Sequence, residues 1–143
     1  MQGSNDFSLK NCTIKNAKHQ KSTLFLIERC ENASLNHVTV TSPSDVTYGI
    51  IIYDSIVNID DLIINNHPED FIRCENNSFV VIKNSKISLS TYGISIDDQS
   101  SIEILNCTFS DISKLSISAF TKSCLIQNAK ISNVQFDAEI IQK

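Results

Sequence analysis

No stretch of this sequence is apolar for long enough to cross a membrane. The longest runs, such as Ile50-Ile51-Ile52, fall far short of the roughly 20 residues a spanning helix needs, so no membrane span is expected. No segment combines a basic start, a long apolar core and a small-residue cleavage site, so any export signal is expected outside the chain. A basic surplus is missing too. Sixteen acidic and twelve basic side chains leave a formal net charge of −4, scattered along the chain, which argues against a phosphate-binding surface and against nucleic acid as a partner. The one local basic cluster, Lys15, Lys18, His19 and Lys21, reads as a solvated loop, with contact to an anionic ligand as the alternative. Metal and redox spacings are absent as well. The five cysteines, Cys12, Cys30, Cys74, Cys107 and Cys124, cannot all pair internally, and none of their spacings fits a zinc site or a CxxC motif. They read as small apolar core residues, with reactive or metal-binding thiols as the alternative. No metal and no cofactor is expected.

What the sequence does contain is a hexad that recurs six times: Leu9–Ile14, Leu35–Val40, Ile59–Ile64, Ile82–Ile87, Ile104–Phe109 and Ile126–Ile131. Its third position is Asn11, His37, Asp61, Asn84, Asn106 and Asn128, with steps of 26, 24, 23, 22 and 22 residues. A near-constant period of this size marks a solenoid, each repeat being one turn of chain resting on its neighbours. The repeat fills residues 7–143, leaving 1–6 as a leader that is disordered or derived from cloning, and it leaves no room for a linker. Cys12 and Cys107 share one slot four coils apart, roughly 19 Å at strand spacing, and are not expected to bridge.

Within each repeat, alternation at period two marks half-buried strands. Phe7 and Leu9, Val57 and Ile59, Val80 and Ile82, Ile102 and Ile104, and Cys124 and Ile126 are assigned inward. The alternation slips by one residue at the third hexad position. A tight corner explains the slip, because Asn tolerates the left-handed conformation better than other residues with a Cβ. Asn side chains stacked on such corners can also bond from coil to coil. A second apolar segment follows: Leu24-Phe25-Leu26, Ile50-Ile51-Ile52, Ile72-Arg73-Cys74, Ile94-Ser95-Ile96, Leu115-Ser116-Ile117 and Ala138-Glu139-Ile140, with the first and third residues of each assigned to the core. Gly49 and Gly93 precede two of these segments, where a positive φ would help the chain re-enter the stack.

Short strands, an Asn corner and one variable loop per repeat predict an all-β fold, a single-stranded right-handed parallel β-helix of about six coils. Repeats such as Ser101–Ser110 resemble those of the pectate-lyase-like superfamily, and the resemblance covers about residues 7–141. An antiparallel sandwich is the alternative. Six coils would stand about 29 Å tall with strand edges at both ends, which predicts a piece of a longer solenoid or end-to-end self-association.

Inward positions are consumed by packing, so ligand contacts fall on outward ones. Tyr53, Asp54, Arg73, Glu75, Asp97 and Asp98 align on successive coils near one face and are the candidate ligand-binding residues; solvated turn residues are the other reading. The resemblance implies acid-base chemistry on uronic acids for some relatives, yet the motifs fail to assemble. Of the polygalacturonase-like set only Asp97-Asp98 is present. Tyr48-Gly49-Ile50 and Tyr92-Gly93-Ile94 are similar to mannuronan-epimerase repeats, without the Asp-Pro-His element that should follow. His67, beside Glu69 and Asp70, is the weaker catalytic candidate, and no catalytic set is assigned. Glycosylation sequons begin at Asn11, Asn32, Asn76 and Asn106, of which Asn32 and Asn76 lie in turns. The leading expectation is a non-catalytic module of a larger extracellular or cell-surface protein, offering a wall to a glycan or protein partner. A polysaccharide lyase, epimerase or hydrolase and a filament or spike segment are the alternatives.

Overall fold

The third position of each hexad turns the chain. Asn11, His37, Asp61, Asn84, Asn106 and Asn128 have φ of 52°, 53°, 53°, 50°, 54° and 52°, all left-handed. That region costs an ordinary L residue about 1–2 kcal/mol, and short polar side chains that bond locally tolerate it best. Apolar residues on either side of such a corner then face the same interior from two different sides.

A computed structural model describes residues 6–15, 18–41, 44–65, 70–119, 124–131 and 141–142. These form β1 (Asp6–Lys15), β2 (Lys18–Glu28), β3 (Asn32–Thr41), β4 (Ser44–Tyr53), β5 (Ile56–Asn65), β6 (Asp70–Glu75), β7 (Phe79–Lys83), β8 (Lys86–Ile96), β9 (Ser101–Leu105), β10 (Thr108–Ala119), β11 (Cys124–Gln127), β12 (Lys130–Ile131) and β13 (Ile141–Gln142). Among the described residues every pairing is parallel, and no strand pairs with its immediate successor in the chain. The sandwich alternative is thereby excluded.

Three sides are built this way. On the first, Leu9, Leu35, Ile59, Ile82, Ile104 and Ile126 stand in one register column. On the second, past the corner, Ile14, Val40, Ile64, Ile87, Phe109 and Ile131 form another. The third carries Ile27, Ile52, Cys74, Ile96 and Ala119. Leu35, Val38, Val40, Ile52, Ile59, Leu62, Ile64, Ile82 and Ile87 are fully buried. Each such aliphatic side chain contributes about 1.5–3 kcal/mol of hydrophobic stabilisation, so the interior is a close-packed apolar rod. Phe7, Leu9, Cys12, Ile14, Leu24 and Phe25 in the first coil pack on it only partly covered.

The structure corrects the expected layout in the number of coils, in two third-side registers and at Gly49. About four turns close on all three sides where about six coils are expected, because the third side stacks five strands and so gives four turn-to-turn steps. The expected last segment, Ala138-Glu139-Ile140, lies outside the described residues; beyond it β13 pairs with β11. Two third-side registers also shift. Phe25 and Ile27, not Leu24 and Leu26, align with Ile50 and Ile52, and Leu26 is 48% exposed. Ile117 and Ala119 take the places assigned to Leu115 and Ile117, after an irregularity between Ile112 and Leu115 absorbs the difference. In β2 the run Leu24-Phe25-Leu26-Ile27 offers apolar residues to either face, and in β10 Leu115, Ile117 and Ala119 continue one alternation, so the pattern alone fits either register. Finally, Gly49 is required by close approach and not by φ: a Cβ there would lie 2.4 Å from the Phe71 carbonyl oxygen.

Candidate functional site

A second corner follows the third side, and it is built differently from the Asn corner. Arg29, Asp54 and Asn76 turn the chain with φ of 52°, 48° and 58°, and Asn77 follows at 60°. The next residue inward is Cys30, Ser55, Ser78 or Ser100, all buried. These side chains form an internal ladder. The Cys30 N–H donates to Ser55 Oγ at 3.0 Å, Ser55 N–H to Ser78 Oγ at 3.3 Å, and Ser78 N–H to Ser100 Oγ at 3.2 Å. In turn Ser55 Oγ donates to the Tyr53 carbonyl at 2.8 Å and Ser78 Oγ to that of Glu75 at 2.6 Å. A buried N–H without an acceptor costs about 1–3 kcal/mol, so the hydroxyls hold each corner in register with the next. Cysteines fill the same kind of place: Cys30 Sγ meets the Glu28 carbonyl at 3.6 Å, and Cys107 Sγ that of Leu105 at 3.3 Å. All five thiols are free.

Of the residues singled out from sequence, the corner brings Arg73, Glu75 and Asp97 together and sets Asp54 apart from them, while Tyr53 and Asp98 join neither. Arg73, Glu75 and Asp97 line a small depression of about 130 Å3. Arg73 Nε donates to Glu75 Oε1 at 2.5 Å and Nη1 to the Tyr48 hydroxyl at 3.4 Å, with the guanidinium 5.6 Å from the Tyr48 ring centre. Burial opposes the Arg73 charge, but the bond to Glu75 and its negative charge outweigh it and raise the pKa. Asp97 caps the turn: Oδ2 accepts from Asn76 N–H at 2.6 Å, and Oδ1 from the N–H groups of Gln99 at 3.2 Å and Ser100 at 2.8 Å. Burial alone would raise its pKa; hydrogen bonds from the Ser100 side chain and these amides outweigh burial and lower it. Asp97 is therefore held ionised with its acceptor positions occupied by the protein.

Asp54 belongs to a second, larger depression of about 400 Å3, with Arg29, Glu31, Ile56 and Asn77. Tyr53 is exposed and lines neither depression; it stands in register with Glu28 on one side and Glu75 on the other. Asp98 is exposed and lines neither. Arg29, Glu31, Ile56 and Asn77 escaped the sequence reading, although a signal was present. Cys30, Ser55, Ser78 and Ser100 recur at steps of 25, 23 and 22, the same period as the hexad.

The Asn corner carries polar contacts between coils. His37 Nε2 is 3.7 Å from Asp61 Oδ2, Asn84 Nδ2 donates to Asp60 Oδ1 at 2.8 Å, and Asn106 Nδ2 to Asn84 Oδ1 at 3.4 Å. Asn11 and Asn128 are exposed. Of the sequons, Asn32 is exposed and donates to Asp6 Oδ1 at 3.1 Å, whereas the hydroxyl that completes the Asn76 sequon is the buried Ser78. His67 and the side chains of Lys15, Lys18, His19 and Lys21 lie outside the described residues. Among the described residues no group of three or more His, Cys, Asp and Glu is placed to hold a metal ion, and no helix is long and apolar enough to cross a membrane.

A parallel solenoid with polar corners and an aliphatic interior defines the class. A family model described as a right-handed β-helix region matches residues 1–140, and the chain belongs to that family. No curated protein and no solved structure matches it.

Proposed function

We propose that this chain is a non-catalytic contact module of a larger secreted or surface-exposed protein, and that it holds a carbohydrate chain against the wall formed by the third side and second corner. The observation that carries the reading is the gathering of polar groups from successive coils on one corner: Arg29, Asp54 and Asn77 around one depression, with Arg73, Glu75 and Asp97 around another. Strand spacing of about 4.8 Å sets these groups at regular intervals, and the buried serine ladder fixes them before any ligand arrives. Two features favour holding over turnover. Arg73 is committed to Glu75 and Tyr48, and Asp97 is committed to three backbone amides, so neither is free to shuttle a proton or stabilise a transient charge. Titrating the intact chain with oligosaccharides of neutral and acidic sugars by NMR tests the reading. Shifts concentrated at Arg29, Asp54, Arg73 and Asn77 support it; no shift with any oligosaccharide sinks it.

A second reading, end-to-end stacking with another copy, draws on a different observation. Phe7, Leu9, Ile14, Leu24 and Phe25 are partly exposed, whereas Leu35, Val40 and Ile52 one coil on are fully covered. Sedimentation that stays monomeric at high concentration would remove it.

A further inference from the structure

The larger depression beside Asp54 has a chemistry of its own. Arg29, the one cation among the described residues that line it, donates through Nη2 to Glu28 Oε1 at 2.7 Å. That bond, and then the charge of Glu28, hold the Arg29 guanidinium's pKa above its ordinary value, with Asp54 adding a smaller effect. The Arg29 charge is thus already balanced. Glu31 and Asp54 remain, so the described charges that line the depression, with Glu28 beside them, sum to a net negative value. A uronate or phosphate group would meet two carboxylates and one neutralised cation, and electrostatics turn it away.

The carboxylates would attract a bare ammonium, but an all-donor ligand makes no use of the donors that the Asn77 amide and the outer Arg29 N–H groups present. Asp54, Glu31 and the Asn77 carbonyl present acceptors. A hydroxyl both donates and accepts and carries no charge, so vicinal hydroxyls satisfy this mixture without a net Coulombic cost. Next to the polar groups stands an apolar strip. Ile56 lines the depression and is 47% exposed; Phe79, its register partner on the following coil, is 37% exposed. Phe79 N–H bonds the Ser55 carbonyl at 3.0 Å and Ile56 N–H that of Cys30 at 2.9 Å, so the strip is anchored to the corner. Exposed apolar side chains at such a place match the C–H face of a sugar ring, as aromatic rings do at interfaces that are part wet and part dry.

We infer that the Arg29–Asp54–Asn77 depression binds a neutral, hydroxyl-rich oligosaccharide, with Ile56 and Phe79 under the sugar ring and the carboxylates and amide on its hydroxyls. This rests on the carbohydrate reading above but assigns a ligand class and one of the two depressions. The test is calorimetric titration of the intact chain with hexasaccharides of glucose, galactose and mannose, with galacturonate hexasaccharide and with a lysine-rich peptide. The inference requires one neutral hexasaccharide to bind, Asp54→Asn and Phe79→Ala to weaken it by about tenfold each, and Arg73→Ala to leave it within about twofold. Asn77→Ala repeats the measurement should Phe79→Ala disturb the fold. Galacturonate binding that survives Asp54→Asn and is lost in Arg73→Ala overturns the inference and leaves the carbohydrate reading standing. Lysine-peptide binding lost in Asp54→Asn overturns it in favour of a basic protein partner. Failure of every hexasaccharide overturns both.

Discussion

Asn84 donates its side-chain amide to Asp60 at 2.8 Å, one residue before the corner residue Asp61 of the coil below. Asp61 meanwhile faces His37 at 3.7 Å. Three different residue types thus occupy equivalent corners, and the chain of contacts between coils steps sideways where the chemistry changes. What the corner demands first is the backbone conformation, shared by all six residues, and only then a particular side-chain bond.

Substitutions at Asn84 should therefore separate the two demands. Asn84→Gly keeps the left-handed backbone and loses the amide bonds to Asp60 and Asn106, so a loss of only about 0.5–1 kcal/mol is expected. Asn84→Val adds the cost of a β-branched residue at positive φ and should lose at least a further 1–2 kcal/mol. Urea unfolding of both variants checks the order.

At the second corner the serine hydroxyl matters more than its exposure would suggest. Ser78→Val removes the acceptor of the buried Ser55 N–H and should destabilise by about 1–3 kcal/mol. Ser55→Cys is expected to be milder than Ser55→Val, because Cys30 already occupies the equivalent place one coil earlier. Thermal unfolding of the variants reads the difference.

Both the period and its corners were legible in the sequence, because the hexad couples two columns of buried aliphatics to one polar residue that tolerates positive φ. The third-side register was legible at Ile50 and Ile52, Ile72 and Cys74, and Ile94 and Ile96, but not at Leu115-Ser116-Ile117, where the same alternation runs on to Ala119 and the chain uses the later pair. Leu24-Phe25-Leu26-Ile27 offers apolar residues to either face, and packing against Ile50 and Ile52 decides between them. For the site, the ends of the third strands were identified from charge. The depression at Asp54 was not, since Arg29 and Asn77 look like loop residues until the coils are stacked.

Burial should govern the thiols. Desolvation first, then the charges of Asp97 and Glu75, push the Cys74 thiol well above its ordinary range, and burial raises Cys124 to about 11. Burial also raises Cys107, against opposing hydrogen bonds. A thiol reagent at pH 8 is expected to modify Cys12 quickly and Cys30, Cys74, Cys107 and Cys124 only on unfolding. Mass spectrometry of the labelled peptides checks the order.

Asp97 sets an acid limb of stability. Its folded pKa lies below the unfolded 3.8, so its contribution is complete above that value and disappears as pH falls through the lower folded one. Asp97→Asn should cost about 1 kcal/mol at pH 7, the scale of a hydrogen bond to a partly solvated charge. The gap from the parent chain should narrow as pH drops below 3.8. Unfolding curves at pH 7, 4 and 3 check it.

The most direct measurement of the central claim is recovery of the sugar itself. An oligosaccharide incubated with excess chain until binding saturates, then released by denaturation and weighed by mass spectrometry, should return with unchanged mass and unchanged reducing end. Shortened or unsaturated products, formed by the parent chain and not by a chain carrying Asp54→Ala and Asp97→Ala together, would contradict it and make this wall a catalytic one.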